Sequence, residues 1–126
     1  TIDSNIVKLQ SSGADVLTGS SQSVVGSIGA AKAKNGVLWF GTQADQASLA
    51  PELAVASQAY DWTGMLKDIL AKRKAGTLGG VAYVLTLENK GLKIVYNPAY
   101  KLPAAVKKAA DDAAKAIAKG SLKVQP

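Results

Sequence analysis

The sequence has 126 residues, of which 48% are hydrophobic and 19% charged; this is long enough for one domain with a core, and the composition excludes intrinsic disorder. It contains no cysteine and no histidine, which excludes disulfides, thiol catalysis, and metal or general-base sites built on these side chains. No run reaches the roughly 18 apolar residues that a membrane-spanning helix needs.

The formal net charge of +6 is a balance often found in nucleic-acid-binding proteins. The lysines, however, are spread along the chain. Their densest cluster, in residues 101–123, includes Asp111 and Asp112 and lacks the aromatic residues on which single-stranded bases stack. We therefore interpret the charge as a solvated basic face and expect no nucleic-acid partner.

The first twelve residues have a helical pattern. Ile2, Ile6 and Leu9 share one face, and Gly13 stands where a helix commonly ends. A helix without a preceding strand is an unusual start for an alternating α/β protein, so we expect further structure upstream.

Two short apolar runs, residues 14–18 and 37–40, are continuous rather than alternating, which predicts strands covered on both faces of a parallel sheet. The segment between them predicts a helix capped by Ser23. The predicted apolar side of this helix consists of Val24, Val25, Ile28 and Ala31.

Residues 53–58 form a third predicted strand, and Asp61 starts a helix over 62–75. Residues 81–87 and 92–96 flank turn-forming residues and predict a β-hairpin at a sheet edge.

The last predicted element is an alanine-rich helix over residues 104–119, with an Asp111–Lys115 pair at i,i+4 spacing and Gly120 past its end. Its apolar stripe, which is typical of a docking face, consists of Val106, Ala110, Ala113 and Ile117.

Polar residues follow the first two predicted strands, at the sheet edge where open α/β folds hold their ligands. Ser20, Ser21 and Gln22 follow the first strand, and their hydroxyls, amide and backbone N–H groups suit a polar ligand. Ordinary loop and cap chemistry is the alternative, because neither a Walker motif nor G-x-G-x-x-G is present.

Gln43 and Asp45 follow the second strand and suit ribose or sugar hydroxyls. No neighbouring group tunes Asp45 for catalysis, so binding is the interpretation.

Tyr60 and Trp62 lie at the end of the third predicted strand. Their rings suit stacking on a flat ligand such as a nucleobase, and a place for Trp62 in the core is an equally open interpretation. We interpret Asp61, between them, as the N-cap of the next helix.

No catalytic constellation is visible. Histidine is absent, and Ser4 and Lys8 miss the spacing of a Ser-x-x-Lys motif. We predict no enzymatic activity, no catalytic residue, no metal site and no cofactor.

The order of these segments resembles the basic-membrane-protein (PnrA-like) family of ABC transporter substrate-binding proteins. The resemblance rests on GADVL at 13–17, FGTQADQ at 40–46, LAP at 49–51 and ASQAYDW at 56–62. Its C-terminal part shows Gly76 after a helix, Gly79 and Gly80 before a β segment, Asn97 with Pro98, and Pro103 before a helix followed by Gly120.

The resemblance implies an α/β fold with the three-layer parallel sheet of a type I periplasmic binding protein. Such proteins close two lobes on a ligand. Members of the family are more than twice as long, so the resemblance implies that residues 1–126 are a C-terminal portion, namely the second lobe with crossover segments. The implied partners are a small-molecule ligand, the N-terminal lobe of the same protein and an ABC permease. The implied location is periplasmic or extracytoplasmic, lipid-anchored or soluble.

The resemblance also implies that the loop at Ser20–Gln22, the loop at Gln43–Asp45 and the position of Tyr60 contribute to the ligand cleft. Nucleoside-binding members carry an acid near position 43 and a lysine near position 60, where this chain has Gln43 and Tyr60. The chain departs from the nucleoside-binding pattern at both positions, so the prediction is the broader one of a small polar ligand, nucleoside-like or sugar-like. The alternative prediction is a self-contained flavodoxin-like regulatory or enzymatic α/β domain.

Overall fold

In the computed structural model, the residues whose structure is described are 8, 11–19, 24–33 and 36–124. They divide into two compact units. Unit 1 comprises Thr1–Ala59 and Ile94–Leu102, and unit 2 comprises Tyr60–Lys93 and Pro103–Pro126. The initial helix predicted over residues 1–12 lies mostly outside the described residues.

An open four-stranded sheet has the order β1-β2-β3-β4. Its strands are β1 Val16–Gly19, β2 Leu38–Gln43, β3 Ala54–Tyr60 and β4 Leu92–Tyr96. The first three are parallel, with Val16 opposite Leu38 and Phe40 opposite Ala56. The predicted parallel α/β sheet is thus confirmed for three strands.

The fourth strand makes the sheet mixed. In unit 1 the Asn97 N–H donates to the Val55 carbonyl at 3.0 Å, and in unit 2 the Asp61 N–H donates to the Gly91 carbonyl at 2.8 Å. The residue numbers of the hydrogen-bonded partners rise along β3 and fall along β4, which indicates antiparallel pairing. Asn97 is also buried, and its side-chain amide donates to the Pro51 and Ala54 carbonyls at 2.8 and 2.7 Å, which anchors the end of β4.

The helix α1, Val24–Lys32, covers the sheet of unit 1. Val24, Ile28 and Ala31 are buried as predicted, whereas Val25 is 60% exposed. The error has a simple cause, since Val25 lies about 100° round the helix from Val24, and Ser27 is buried in its place. The core of unit 1 consists of Leu17, Val24, Ile28, Ala31, Val37, Trp39, Ala50, Leu53 and Ala54.

Unit 2 contains the helices α2, Thr63–Lys74, and α3, Ala104–Ala118. Gly76 and Gly120 follow them with φ values of 86° and 71°, the left-handed conformation that ends helices and that the sequence predicts at both positions. Neither helix has a buried residue. The described part of unit 2 therefore leaves the apolar positions of both helices at least partly accessible.

The predicted β-hairpin is wrong. Residues 81–86 have no regular secondary structure, and 87–90 form a turn in which Lys90 has a φ of 61°. Gly79 and Gly80 enter this segment with φ values of 153° and 77°, outside the range of a strand. The second half of the predicted hairpin does form a strand, β4, but it pairs with β3.

Two ion pairs line α3 at i,i+4 spacing. Lys107 lies 2.7 Å from Asp111 and Lys108 lies 2.5 Å from Asp112. Asp111 thus has a basic partner on the N-terminal side, whereas the sequence suggested Lys115 on the C-terminal side.

Candidate functional site

The carboxyl ends of β1 and β2 are joined by side chains as well as by the backbone ladder. The Thr18 hydroxyl donates to the Phe40 carbonyl at 2.8 Å, and the Thr42 hydroxyl donates to the Gly19 carbonyl at 2.6 Å. These two bonds cross in opposite directions between paired strands. They fix the sheet edge at which the sequence predicts a ligand.

The loop after β2 begins later than its polar composition suggests. Residues 41–43 continue the strand, and Gln43 is its last residue, with a φ of 74°. A left-handed backbone is uncommon for residues other than glycine, and it persists where surrounding contacts hold it. Gln43 and Asp45 are both exposed, and the Asp45 carboxylate accepts the Ala47 N–H at 3.0 Å. The structure therefore brings these two predicted site residues together at one strand end.

We name residues 43–47 the strand-end loop. A short 3₁₀ turn, Ala47–Leu49, begins at its last residue, and the Asp45 carboxylate accepts the N–H of that residue. Short polar side chains that accept a backbone N–H two residues on are common at such starts. Asp45 thus has a local structural role in addition to its predicted binding role.

Gln46 is the residue of this site that the sequence prediction missed. Its backbone N–H donates to the Ser57 hydroxyl at 3.0 Å, its side-chain nitrogen donates to the Thr42 carbonyl at 3.0 Å, and its side-chain oxygen accepts the indole N–H of Trp39 at 2.7 Å. Trp39 is only 1% exposed. A buried indole needs an acceptor, and this need was the available signal, although the sequence does not say which residue supplies one.

Gly41 lies against the same group of side chains. A Cβ at this position would approach the Ser57 hydroxyl to 2.5 Å and the Gln46 side-chain oxygen to 3.0 Å. The close approach requires glycine, and it lets Gln46 cross beside β2 to reach Trp39.

Ser20, Ser21 and Gln22, the predicted site residues after β1, lie outside the described residues. Their binding role stays a prediction.

Tyr60 and Trp62 belong to unit 2, where their rings contact each other edge to face. The centroids are 5.5 Å apart and the ring planes meet at 78°. Trp62 is 48% exposed and Tyr60 37% exposed. The interpretation of Trp62 as a core residue is therefore wrong, and both rings keep accessible surface.

Asp61 lies one residue before the N-cap of α2, which is Trp62, so the predicted cap position is wrong by one residue. Its carboxylate accepts the Thr63 N–H at 3.0 Å and forms an ion pair with Lys93. The Lys93 hydrogen bond, followed by the bonds from Thr63, holds the pKa of Asp61 well below its ordinary value. The carboxylate is thus committed to structure.

A second polar cluster in unit 2 was not predicted. Asp68 accepts hydrogen bonds from the Lys72 ammonium and the Tyr83 hydroxyl, each at 2.6 Å. The bond from Lys72 and then that from Tyr83 lower the pKa of Asp68, while Asp68 raises the pKa values of Lys72 and Tyr83. The cluster ties the irregular segment at 81–86 to α2. Tyr83 and Asp68 also border an open cleft of about 430 Å³ within unit 2, which Met65 and Leu85 line with apolar surface.

Two further features are absent from the described residues. These residues contain no group of three or more acidic residues placed to hold a metal ion. They also contain no helix long and apolar enough to cross a membrane.

Comparison with known proteins connects the chain to two solved structures. A solute-binding protein of an ABC transporter system from Conexibacter woesei has a TM-score of 0.70 and 22% identity, over 98% of this chain and 41% of its own. A transcriptional activator of the comK gene from Bacillus halodurans has a TM-score of 0.78 and 16% identity, over 97% of this chain and 43% of its own. No protein-family model and no curated protein matches the chain.

These similarities show the fold. It is the α/β fold of the periplasmic-binding-protein type, as the sequence predicts. The chain spans less than half the length of either neighbour.

Proposed function

We propose that this chain is part of a solute-binding protein of an ABC importer and contributes to a cleft for a small polar ligand, nucleoside-like or sugar-like. The observation that carries the proposal is the likeness to an ABC solute-binding protein over 98% of the chain. The exposed Gln43 and Asp45 at the carboxyl end of β2 support it, since open α/β sheets bind ligands at this edge. The proposed role is binding without catalysis. More specifically, we propose that the protein belongs to the basic-membrane-protein family.

The remaining partners follow from the same proposal. The chain covers 41% and 43% of its structural neighbours, which supports its being a portion of a longer protein. We propose that this protein has two lobes and that the chain is its C-terminal portion. The other lobe and an ABC permease are then its protein partners. An extracytoplasmic location, with or without a lipid anchor, follows from this role.

Saturation-transfer NMR with adenosine, ribose and galactose as separate probes tests ligand binding. We expect one probe to bind with a Kd in about the millimolar range, because one lobe supplies only part of the contacts. Asp45→Ala should weaken that binding by roughly tenfold, the effect of about one hydrogen bond. Ser48→Ala, an exposed change in the adjoining 3₁₀ turn, is the control. No transfer to any probe, or equal transfer with Asp45→Ala, contradicts the proposed site.

A ligand-sensing part of a regulatory protein is the second candidate. The observation that favours it is the likeness to a transcriptional activator, with a TM-score of 0.78. The two candidates share ligand binding and differ in location. Fractionation of the source cells separates them: an importer component fractionates outside the cytoplasm and copurifies with a permease, and a regulator fractionates with the cytoplasm.

A further inference from the structure

Gln46 forms hydrogen bonds with three residues of unit 1. Its side-chain oxygen meets Trp39 within β2, its side-chain nitrogen meets the Thr42 carbonyl near the end of β2, and its backbone N–H meets Ser57 of β3. The two sheet strands are themselves in register, with Gly41 opposite Ser57. Gln46 therefore connects the strand-end loop to both β2 and β3.

The chemistry of these contacts selects an amide. The Trp39 indole donates to the side-chain oxygen of Gln46, and the Thr42 carbonyl accepts from its side-chain nitrogen. Glutamine carries both groups at the end of one side chain, whereas glutamate at neutral pH only accepts. A glutamate at position 46 would retain the bond from Trp39 and set a carboxylate against a carbonyl oxygen.

The bond to Thr42 has a consequence for the next residue. Thr42 directly precedes Gln43, whose φ of 74° is an uncommon backbone conformation. Such a conformation is energetically unfavourable and persists only where neighbouring contacts fix it. Gln46 fixes the chain immediately before Gln43, and its own N–H fixes the chain after Asp45.

We propose that Gln46 is a positioning residue that holds the strand-end loop, and with it Gln43 and Asp45, in a single conformation ready to meet a ligand. The ligand-related part of this inference rests on the proposed function. The positioning itself does not, since it concerns the conformation of residues 43–47 in the free chain. A simpler role for Gln46, as acceptor for the buried indole alone, makes a different prediction for Gln46→Glu.

Backbone hydrogen exchange, resolved by residue in the free chain, tests the positioning. Gln46→Glu should speed exchange at residues 44–47 by roughly tenfold, because it removes the Thr42 bond and adds a repulsion. Gln46→Ala should speed it further, because the bond from Trp39 is lost as well. Ser48→Asp adds the same charge at an exposed neighbouring position and should leave exchange at 44–47 unchanged.

The outcomes separate the two roles. Faster exchange confined to 44–47 in Gln46→Glu supports positioning. Unchanged exchange in Gln46→Glu overturns it and leaves Gln46 as the indole acceptor, and a uniform rise along the chain overturns it in favour of general destabilisation. Trp39 emission, followed in a Trp62→Phe background, should shift in Gln46→Ala and stay near that of the parent in Gln46→Glu, which verifies that the Trp39 bond survives.

The ligand probes test the second part of the proposal, that the loop conformation affects ligand binding. If adenosine, ribose or galactose binds, Gln46→Glu should weaken that binding by the factor by which it lowers the fraction of chains that hold the loop in the binding conformation. Unchanged affinity in a variant whose residues 44–47 exchange without protection overturns the link between the loop conformation and binding. If none of the three probes binds, the proposed ligand class fails, while the exchange data still decide whether Gln46 positions the loop.

Discussion

At the scale of single residues, Gly41 shows how closely the site is packed. A Cβ there would lie 2.5 Å from the Ser57 hydroxyl, which itself accepts the Gln46 N–H, so relief of the clash requires that this bond shift. We expect Gly41→Ala to lower the free energy of unfolding by about 1–3 kcal/mol, as overpacking does. Urea denaturation measures this.

Gly29 supplies the matched control. It lies within α1, and a Cβ at this position would meet no atom within 4 Å. Gly29→Ala should therefore raise the free energy of unfolding by about 0.5–1 kcal/mol through helix propensity. If both substitutions change stability in the same direction, close packing at Gly41 is not the cause.

Asp61 should make the stability of unit 2 depend on pH. Lys93, followed by Thr63, holds the pKa of Asp61 below its usual 3.8. A carboxyl whose pKa is lower in the folded state stabilises that state fully above the unfolded pKa and loses this contribution as pH falls through the folded pKa. Asp61→Asn lacks the titration, so we expect its urea midpoint to fall less than that of the parent between pH 7 and about pH 3.

The partner of Asp61 provides the check. Lys93→Gln removes the largest cause of the lowered pKa and should also flatten the acid dependence. Combining Lys93→Gln with Asp61→Asn should change the pH dependence of the urea midpoint little further, because the two groups act as one pair. Parallel pH profiles for the parent and Asp61→Asn would show that this ion pair does not contribute.

At the scale of elements, the turn before β4 depends on one side chain. The Asn89 side-chain oxygen accepts the Thr86 and Gly91 N–H groups at 2.9 Å, and its nitrogen donates to the Val84 carbonyl at 2.7 Å. We expect Asn89→Ala to speed hydrogen exchange at residues 86–91 by roughly tenfold or more, since several bonds open together.

Glu88→Ala is the control for the turn. Glu88 is exposed and occupies the same turn, so its removal should leave exchange at residues 86–91 unchanged. Equal acceleration by both substitutions would mean that any change in the turn loosens it, and that the Asn89 bonds have no special role.

The elements also show what the sequence can predict. Continuous apolar runs identified β1, β2 and β3 to within a few residues. Burial on both faces, which such runs predict, holds only for β3, because Val16 of β1 is 52% exposed and Phe40 of β2 is 37% exposed. The hairpin failed because β propensity in residues 81–87 does not specify a partner strand, and β4 had a long-range partner in β3.

The site was predicted less completely than the fold. Gln43 and Asp45 were identified from their place at a strand end, and both residues are exposed there. Gln46 was missed because its role depends on Trp39 and Ser57, seven and eleven residues away, and no local pattern records those contacts.

At the scale of the whole molecule, unit 2 differs from unit 1 in how little of its apolar surface is buried. Leu66 and Leu70 are separated by one helical turn of α2, and they are 51% and 59% exposed. In the proposed two-lobed protein, the remaining chain would cover apolar positions of this kind. Alone, the chain should bind the dye ANS and associate with itself as its concentration rises, because exposed apolar patches favour both.

Leu70→Lys tests this expectation directly. It removes apolar surface from α2 and adds a charge at an already exposed position, so ANS fluorescence and the weight-average mass in sedimentation experiments should both fall. Val25→Lys makes the same chemical change on α1 of unit 1, where Val25 is 60% exposed, and should have a smaller effect. Equal effects of the two substitutions would mean that added charge alone reduces association. No effect of Leu70→Lys would mean that α2 is not the surface responsible, and it would count against a covering partner at this helix.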